Sequence, residues 1–111
     1  MRYEFESDTT GVTNLVVRDR WSSEARDAWD QRRADGLVLN HARGFTGDLT
    51  FLHGLRVRRL QVTARDVEDL LPVYASAETL EVLSIATART SVLDLSRLPR
   101  LRSLSVENWA R

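Results

Sequence analysis

Two histidines, no cysteine and a scatter of hydroxyls are the chain's usual tools for catalysis, and their spacing arms none of them. His41 and His53 stand twelve residues apart. Two metal ligands on one helix face need i, i+4 spacing, and no carboxylate lies at a matching distance to complete a site. No serine occupies a Gly-x-Ser-x-Gly turn, and no histidine with a carboxylate is placed to activate a hydroxyl. The run Arg43-Gly44-Phe45-Thr46-Gly47-Asp48 is glycine-rich but lacks the lysine and helix start of a phosphate cradle. Zero cysteines rule out disulfides and thiolate metal sites. The expectation is a protein that is not an enzyme, with no catalytic residue, no metal and no cofactor.

Charge narrows the partners. Sixteen basic residues, all arginine, balance sixteen acidic ones, which removes the usual electrostatic drive toward nucleic acid or anionic lipid. Arg56, Arg58 and Arg59, with Arg97, Arg100 and Arg102, could stripe one flank, but a flank paired with Asp and Glu fits the neutral total better. We therefore expect no nucleic-acid partner. No run approaches the roughly 20 apolar residues that cross a bilayer, so no membrane partner is expected. Met1 to Glu6 alternates charge instead of leading into an apolar block; a secretory signal is not expected there, and a cytoplasmic location is.

What must position any site is a repeat. Leu15/Val17, Leu37/Leu39, Leu60/Val62, Leu83/Ile85 and Leu104/Val106 recur at steps of 22, 23, 23 and 21 residues. Periods of this length mark stacked units that bury their apolar faces only against one another. At the end of the chain Leu95, Leu98, Leu101, Leu104 and Val106 run at spacings of three, then two. Three suits a tight helical or 3₁₀ turn, and two suits a strand with alternate residues inward. Ala77, Leu80, Leu83, Ile85 and Phe51, Gly54, Val57, Leu60, Val62 show the same cadence.

These spacings resemble the leucine-rich repeat family over about residues 12–109, in the manner of its short, irregular bacterial members. The resemblance implies an α/β fold: a solenoid with a short parallel sheet of about five strands and helices or turns on its convex side. The family's Asn or Cys, three residues after the last strand leucine, is replaced by Arg20, Ala42, Arg65, Ala88 and Trp109. Backbone groups at those turns must therefore find other partners, through water or arginine side chains. One domain over 1–111 is expected, with 1–11 as a capping strand and turn and 12–109 as about five repeats.

The connecting segments differ. Ser22 to Arg33 reads as a helix with a serine N-cap, an acidic first turn and Trp29 facing inward. Val67, Leu70, Leu71 and Tyr74 suggest a second helix bent near Pro72. His41 to Gly54 and Thr87 to Pro99 read as loops with one helical turn each. Tyr3 and Phe5 alternate with charged residues before a turn-rich run, which reads as a β-hairpin laid on the first parallel strand to cap that edge. At the other end Trp109 either folds over Leu98 and Leu101, or helps pack the edge against another copy or another protein, or precedes further repeats of a longer array. Trp21 is either a helix-entry staple or an exposed anchor, with the core favoured.

Residues flanking each buried strand pair should face outward on the concave side. The candidate partner-binding positions are Val16 and Arg18; Val38 and Asn40; Arg59, Gln61 and Thr63; Val82 and Ser84; Ser105 and Glu107. Such a face, roughly 19 by 17 Å, offers on the order of 300 Å². A standard interface takes roughly 800 Å² per partner, so neighbouring loops or a second copy must contribute. The resemblance and this surface imply a non-catalytic protein-binding module, with an immunity or antitoxin-like protein that docks on a partner protein as its specific form. The alternative is a structural subunit that forms a homodimer through its C-terminal repeat edge, with Trp109 as the self-association residue.

Overall fold

Alternation inside each five- or six-residue strand, and the return of that alternation every 21 to 23 residues, builds one sheet. The computed structural model describes residues 3–7, 9, 11–32, 34–64, 67, 70–87 and 94–108. Over these described residues it is an α/β domain of six strands, β1 (Tyr3–Ser7), β2 (Thr13–Val17), β3 (Gly36–Asn40), β4 (Arg59–Thr63), β5 (Val82–Thr87) and β6 (Ser103–Asn108), and one α-helix, α1 (Ser23–Arg32). The strands lie side by side in chain order. β1 pairs antiparallel with β2, and β2 through β6 pair in parallel.

The register aligns the repeat. Leu15, Leu37, Leu60, Leu83 and Leu104 stand opposite one another across the ladders, as do Val17, Leu39, Val62, Ile85 and Val106. From β2 to β5 these side chains are at most 3% exposed and form the centre of the core. The last pair differs: Leu104 is 40% and Val106 44% exposed, because no described strand lies beyond β6. Among the described residues, no helix is long and apolar enough to cross a membrane.

α1 starts as its sequence dictates, with the Ser22 hydroxyl accepting from the Ala25 N–H at 3.2 Å and Arg26 paired to Asp30 at 3.1 Å. Its inner face of Ala25, Ala28 and Trp29 is buried. The expected second helix is instead a 3₁₀ turn over Leu71–Ser76. Pro72, at its start, supplies no N–H, and bonds such as Val73 N–H to Leu70 C=O close three-residue rings. The segment after β3 holds two such turns, His41–Arg43 and Thr50–Gly54, where one was expected. A fourth 3₁₀ turn, Leu95–Arg97, precedes β6.

Three anchors of the sequence cadence shift by one residue. Leu52 and Leu55 enter the core in place of Phe51 and Gly54, and Ser76 is buried in place of the half-buried Ala77. Ser76 fits there because its hydroxyl is fully used, accepting from Val57 N–H at 3.0 Å and donating to Leu55 C=O at 3.2 Å. It thereby ties one unit to the next. Ser76→Ala leaves that buried N–H unpaired and is expected to cost about 1–3 kcal/mol in urea unfolding; a loss below about 0.5 kcal/mol would show that the bond is replaceable. Among the described residues, three turn backbones are held by short side-chain acceptors: Asn40 Oδ1 accepts from Ala42 N–H, Asp48 Oδ1 from Thr50 N–H, and Asp94 Oδ1 from Ser96 N–H.

Candidate functional site

Opposite the core, the sheet presents three aligned rows that the ladder register brings together. Asn14, Gly36, Arg59, Val82 and Ser103 form one; Val16, Val38, Gln61, Ser84 and Ser105 the next; Asn40, Thr63, Ala86 and Glu107 the third. Gly36 keeps the first row low, since a β-carbon there would fall 1.9 Å from Asn14 Oδ1. The expected surface residues therefore share a face, but not equal access. Val16 is fully buried, so its assignment as a contact residue is corrected; Ala86 is buried as well. Val38, Asn40, Thr63, Val82 and Ser84 are half-buried, and Arg59, Gln61, Ser105 and Glu107 are exposed. Trp109 lies outside the described residues, and so does the expectation attached to it.

Val16 is hidden because an ionic strap crosses β2. Arg43, just beyond β3, reaches the carboxylates of Glu4 and Glu6 on β1, touching Glu4 at 2.5 Å, while Arg18 pairs with Glu4 at 3.1 Å. Since β2 lies between β3 and β1, the Arg43 side chain must pass over its outer face. Glu4 and Glu6 point the same way at i and i+2 of a strand, so they form a carboxylate pair that a cation can bridge. Sequence reading saw Arg43 only as part of a glycine-rich loop. The alternation of Glu4 and Glu6 was the available signal.

The hydrogen bond from Arg43 holds the Glu6 carboxyl below its ordinary 4.5, and the acids in turn raise the guanidinium of Arg43. A depressed carboxylate contributes stability that is present above its unfolded value and lost as pH falls through the folded one. The strap should therefore add to stability at neutral pH and fade below about pH 4.5. These groups are partly exposed, so the contribution is about 1 kcal/mol or less. In Arg43→Ala the stability difference between pH 7 and pH 3 should shrink by about that amount in urea titrations; an unchanged difference would remove the strap from the account.

A second ionic feature runs along the edge where the chain enters the strands. Asp35, Arg58, Glu81 and Arg102 each precede a parallel strand by one residue and alternate in sign. Arg58 pairs with Glu81 at 3.1 Å and with Asp35 at 3.8 Å, and Arg102 approaches Glu81 at 3.9 Å. Arg58 and Arg102, one from each arginine cluster of the sequence, thus belong to a ladder of mixed sign. An open depression of about 410 Å³ beside it is lined by Arg58, Glu78, Thr79, Glu81, Arg100 and Arg102. Arg97 turns away and lies 4.1 Å over the Tyr74 ring.

Trp21 is half-buried and stacks on Phe51 with ring centroids 4.5 Å apart, so it packs on the core's margin. His41 and His53 sit exposed in separate 3₁₀ turns. No group of three His, Asp or Glu among the described residues could hold a metal ion.

What remains open on the sheet face is a shallow groove of about 150 Å³, with Asn14, Val38, Arg59, Gln61, Val82 and Ser84 around it. It is smaller than the roughly 300 Å³ at which small-molecule pockets begin. Its scale suits single side chains of a larger partner. Arg59 is exposed there and makes no ion pair among the described residues, whereas Arg18, Arg43, Arg58 and Arg102 are all paired. Comparison of the chain with protein-family models, curated proteins and solved structures finds no match.

Proposed function

We propose that this chain is a non-catalytic, leucine-rich-repeat-type module that docks on another protein through the sheet face around Arg59. The observation that carries the reading is the exposed guanidinium of Arg59, which makes no ion pair among the described residues, in a shallow groove with apolar Val38 and Val82 beside it. A carboxylate of a partner would satisfy the cation, and small apolar side chains would fill the groove. Support for the repeat-type reading comes from parallel strands stacked in chain order with the recurring apolar pairs in register. Neutralising a toxin by covering it is the specific form of this function. With Val16 under the strap, the docking face begins at β3 and runs toward β6, so the loops beside β4 and β5 must add area.

The test is binding of a purified partner, identified by affinity capture and mass spectrometry, measured by calorimetry. Arg59→Glu should weaken the complex at least about tenfold, and Val82→Glu similarly, because both place an unpaired charge at the contact. Arg26→Glu, on α1, should leave it unchanged. Loss of binding with Arg26→Glu but not with Arg59→Glu would move the site to the helical side.

A further inference from the structure

Val16 is fully buried, yet it stands outside the apolar cluster that forms the core. Its ladder neighbours are Glu4 of β1 and Val38 of β3, on the face opposite the core. Val38 is half-buried and lines the groove at Arg59, and the groove stops there. What separates Val16 from it is the Arg43 side chain crossing to Glu4 and Glu6, with Arg18 on Glu4 beside it. This cover is held differently from the rest of the fold. The core is closed by apolar packing, whereas Val16 is closed by charged side chains that are 32% to 46% exposed. Ion pairs that accessible are individually weak and are screened by salt. Breaking them and wetting one valine is a far smaller step than unfolding, so the open form falls in the roughly 0.1–10% range of a minor conformer.

We propose that the strap is a lid, which opens and closes over Val16 while the sheet stays intact and so regulates the docking face. Its effect on binding rests on the docking reading given under the proposed function, whereas the motion itself does not. With the lid closed, the apolar surface ends at Val38. With it open, Val16 and Val38 lie side by side on adjacent strands, and the guanidiniums of Arg43 and Arg18 leave Glu4 and Glu6. A partner carrying carboxylates takes up those arginines together with Arg59, exchanging one set of ion pairs for another, and gains a valine to pack on. A partner without them has no preference for the open form and leaves the lid shut. The closed form lowers the apparent affinity of the acidic partner by the fraction of molecules that are open.

The chain has no cysteine, so single thiols report the opening. Three valines allow the same substitution in three settings: Val16→Cys under the strap, Val17→Cys on the core side of the same strand, and Val38→Cys on the open face. Each is labelled with an uncharged thiol reagent at about pH 8 in the absence of any partner. Val16→Cys should react at least about tenfold faster than Val17→Cys, and more slowly than Val38→Cys. Its rate should rise at least about threefold between about 0.05 M and about 1 M salt. It should approach that of Val38→Cys when Glu4→Gln and Glu6→Gln are added, since these keep the shape of the strap's anchors and remove their charge. In low urea it should stay nearly flat, while Val17→Cys accelerates with the slope of global unfolding. Equal rates or equal urea slopes for Val16→Cys and Val17→Cys would mean that β1 peels away or the whole fold opens, and would overturn the proposal. So would a Val16→Cys rate equal to that of Val38→Cys at low salt, or one indifferent to both salt and the glutamine changes. Hydroxyl-radical footprinting of the unaltered chain reads the same contrast without a substitution at Val16, and equal protection of Val16 and Val17 there would overturn it too. With the captured partner, the chain carrying Glu4→Gln and Glu6→Gln should bind at least about threefold more tightly. Unchanged affinity in a chain whose lid opens would sink the regulatory role, whereas failure of docking itself is read separately from Arg59→Glu.

Discussion

Gly44→Ala is expected to destabilise the fold by about 3 kcal/mol or more, although the change adds one methyl group on the surface side of the sheet. Two costs add. Gly44 closes the turn after β3 with φ of 109°, a left-handed conformation that charges an L-residue about 1–2 kcal/mol. A β-carbon there would also fall 2.1 Å from the carbonyl oxygen of Arg18 and 3.0 Å from its carbonyl carbon. Backbone cannot rotate aside as a side chain can, so the two segments must part, and with them the turn that aims Arg43 across β2. Gly47 and Gly11 are the internal controls. Both have positive φ, but Gly47 has nothing nearer than Arg20 Cγ at 3.8 Å and Gly11 has nothing within 4 Å. Alanine at either should cost only the conformational share, about 1 kcal/mol. In thermal unfolding the contrast should read as a fall of roughly 10–20 °C for Gly44→Ala against roughly 5 °C for the controls. Equal losses at all three positions would mean that the close approach to Arg18 is not a constraint.

That position shows where sequence reading reaches and where it stops. Strand placement was legible because a buried strand writes its period directly into residue type. Leu37, Leu60 and Leu83 at steps of 23 residues leave one register that keeps every apolar side chain on the core side. α1 was legible for the same reason, through its cap and its small inner face. The strap was not. Arg43 and Glu4 are 39 residues apart and meet only because β1 folds back on β2, and no local pattern encodes a side chain crossing an intervening strand. Val16 consequently looked like surface from its alternation and is core by its cover.

The connecting segments failed in a different way. Spacings of three and four are shared by α-helical and 3₁₀ turns, so Val67, Leu70, Leu71 and Tyr74 could not decide between them, and Pro72 tipped the outcome. Ser76 was passed over because a serine beside an alanine offers no reason to be buried until Val57 N–H and Leu55 C=O, about 20 residues upstream, are seen to need it. The turn acceptors Asn40, Asp48 and Asp94 stand at positions that the apolar repeat does not mark, and they close backbone groups from two residues before the N–H they bind.

Equivalent leucines in one ladder should respond very differently to the same truncation, and this contrast has the largest expected effect of any single side-chain change. Leu60 and Leu104 are register equivalents, with Leu83 between them. Leu60 is 3% exposed with strands on both sides, whereas Leu104 is 40% exposed with a strand on one side only. Leu60→Ala removes a fully packed side chain and leaves a cavity that neighbouring strands cannot collapse into, at a cost of about 3–5 kcal/mol. Leu104→Ala removes atoms already half in water, at a cost of about 1 kcal/mol. Because β4 pairs with both β3 and β5, the loss there also loosens two ladders, so Leu60→Ala should broaden the transition or lower its urea dependence. Urea unfolding at low micromolar concentration measures both. A cost of about 3 kcal/mol for Leu104→Ala would mean that Leu104 is covered within the single chain.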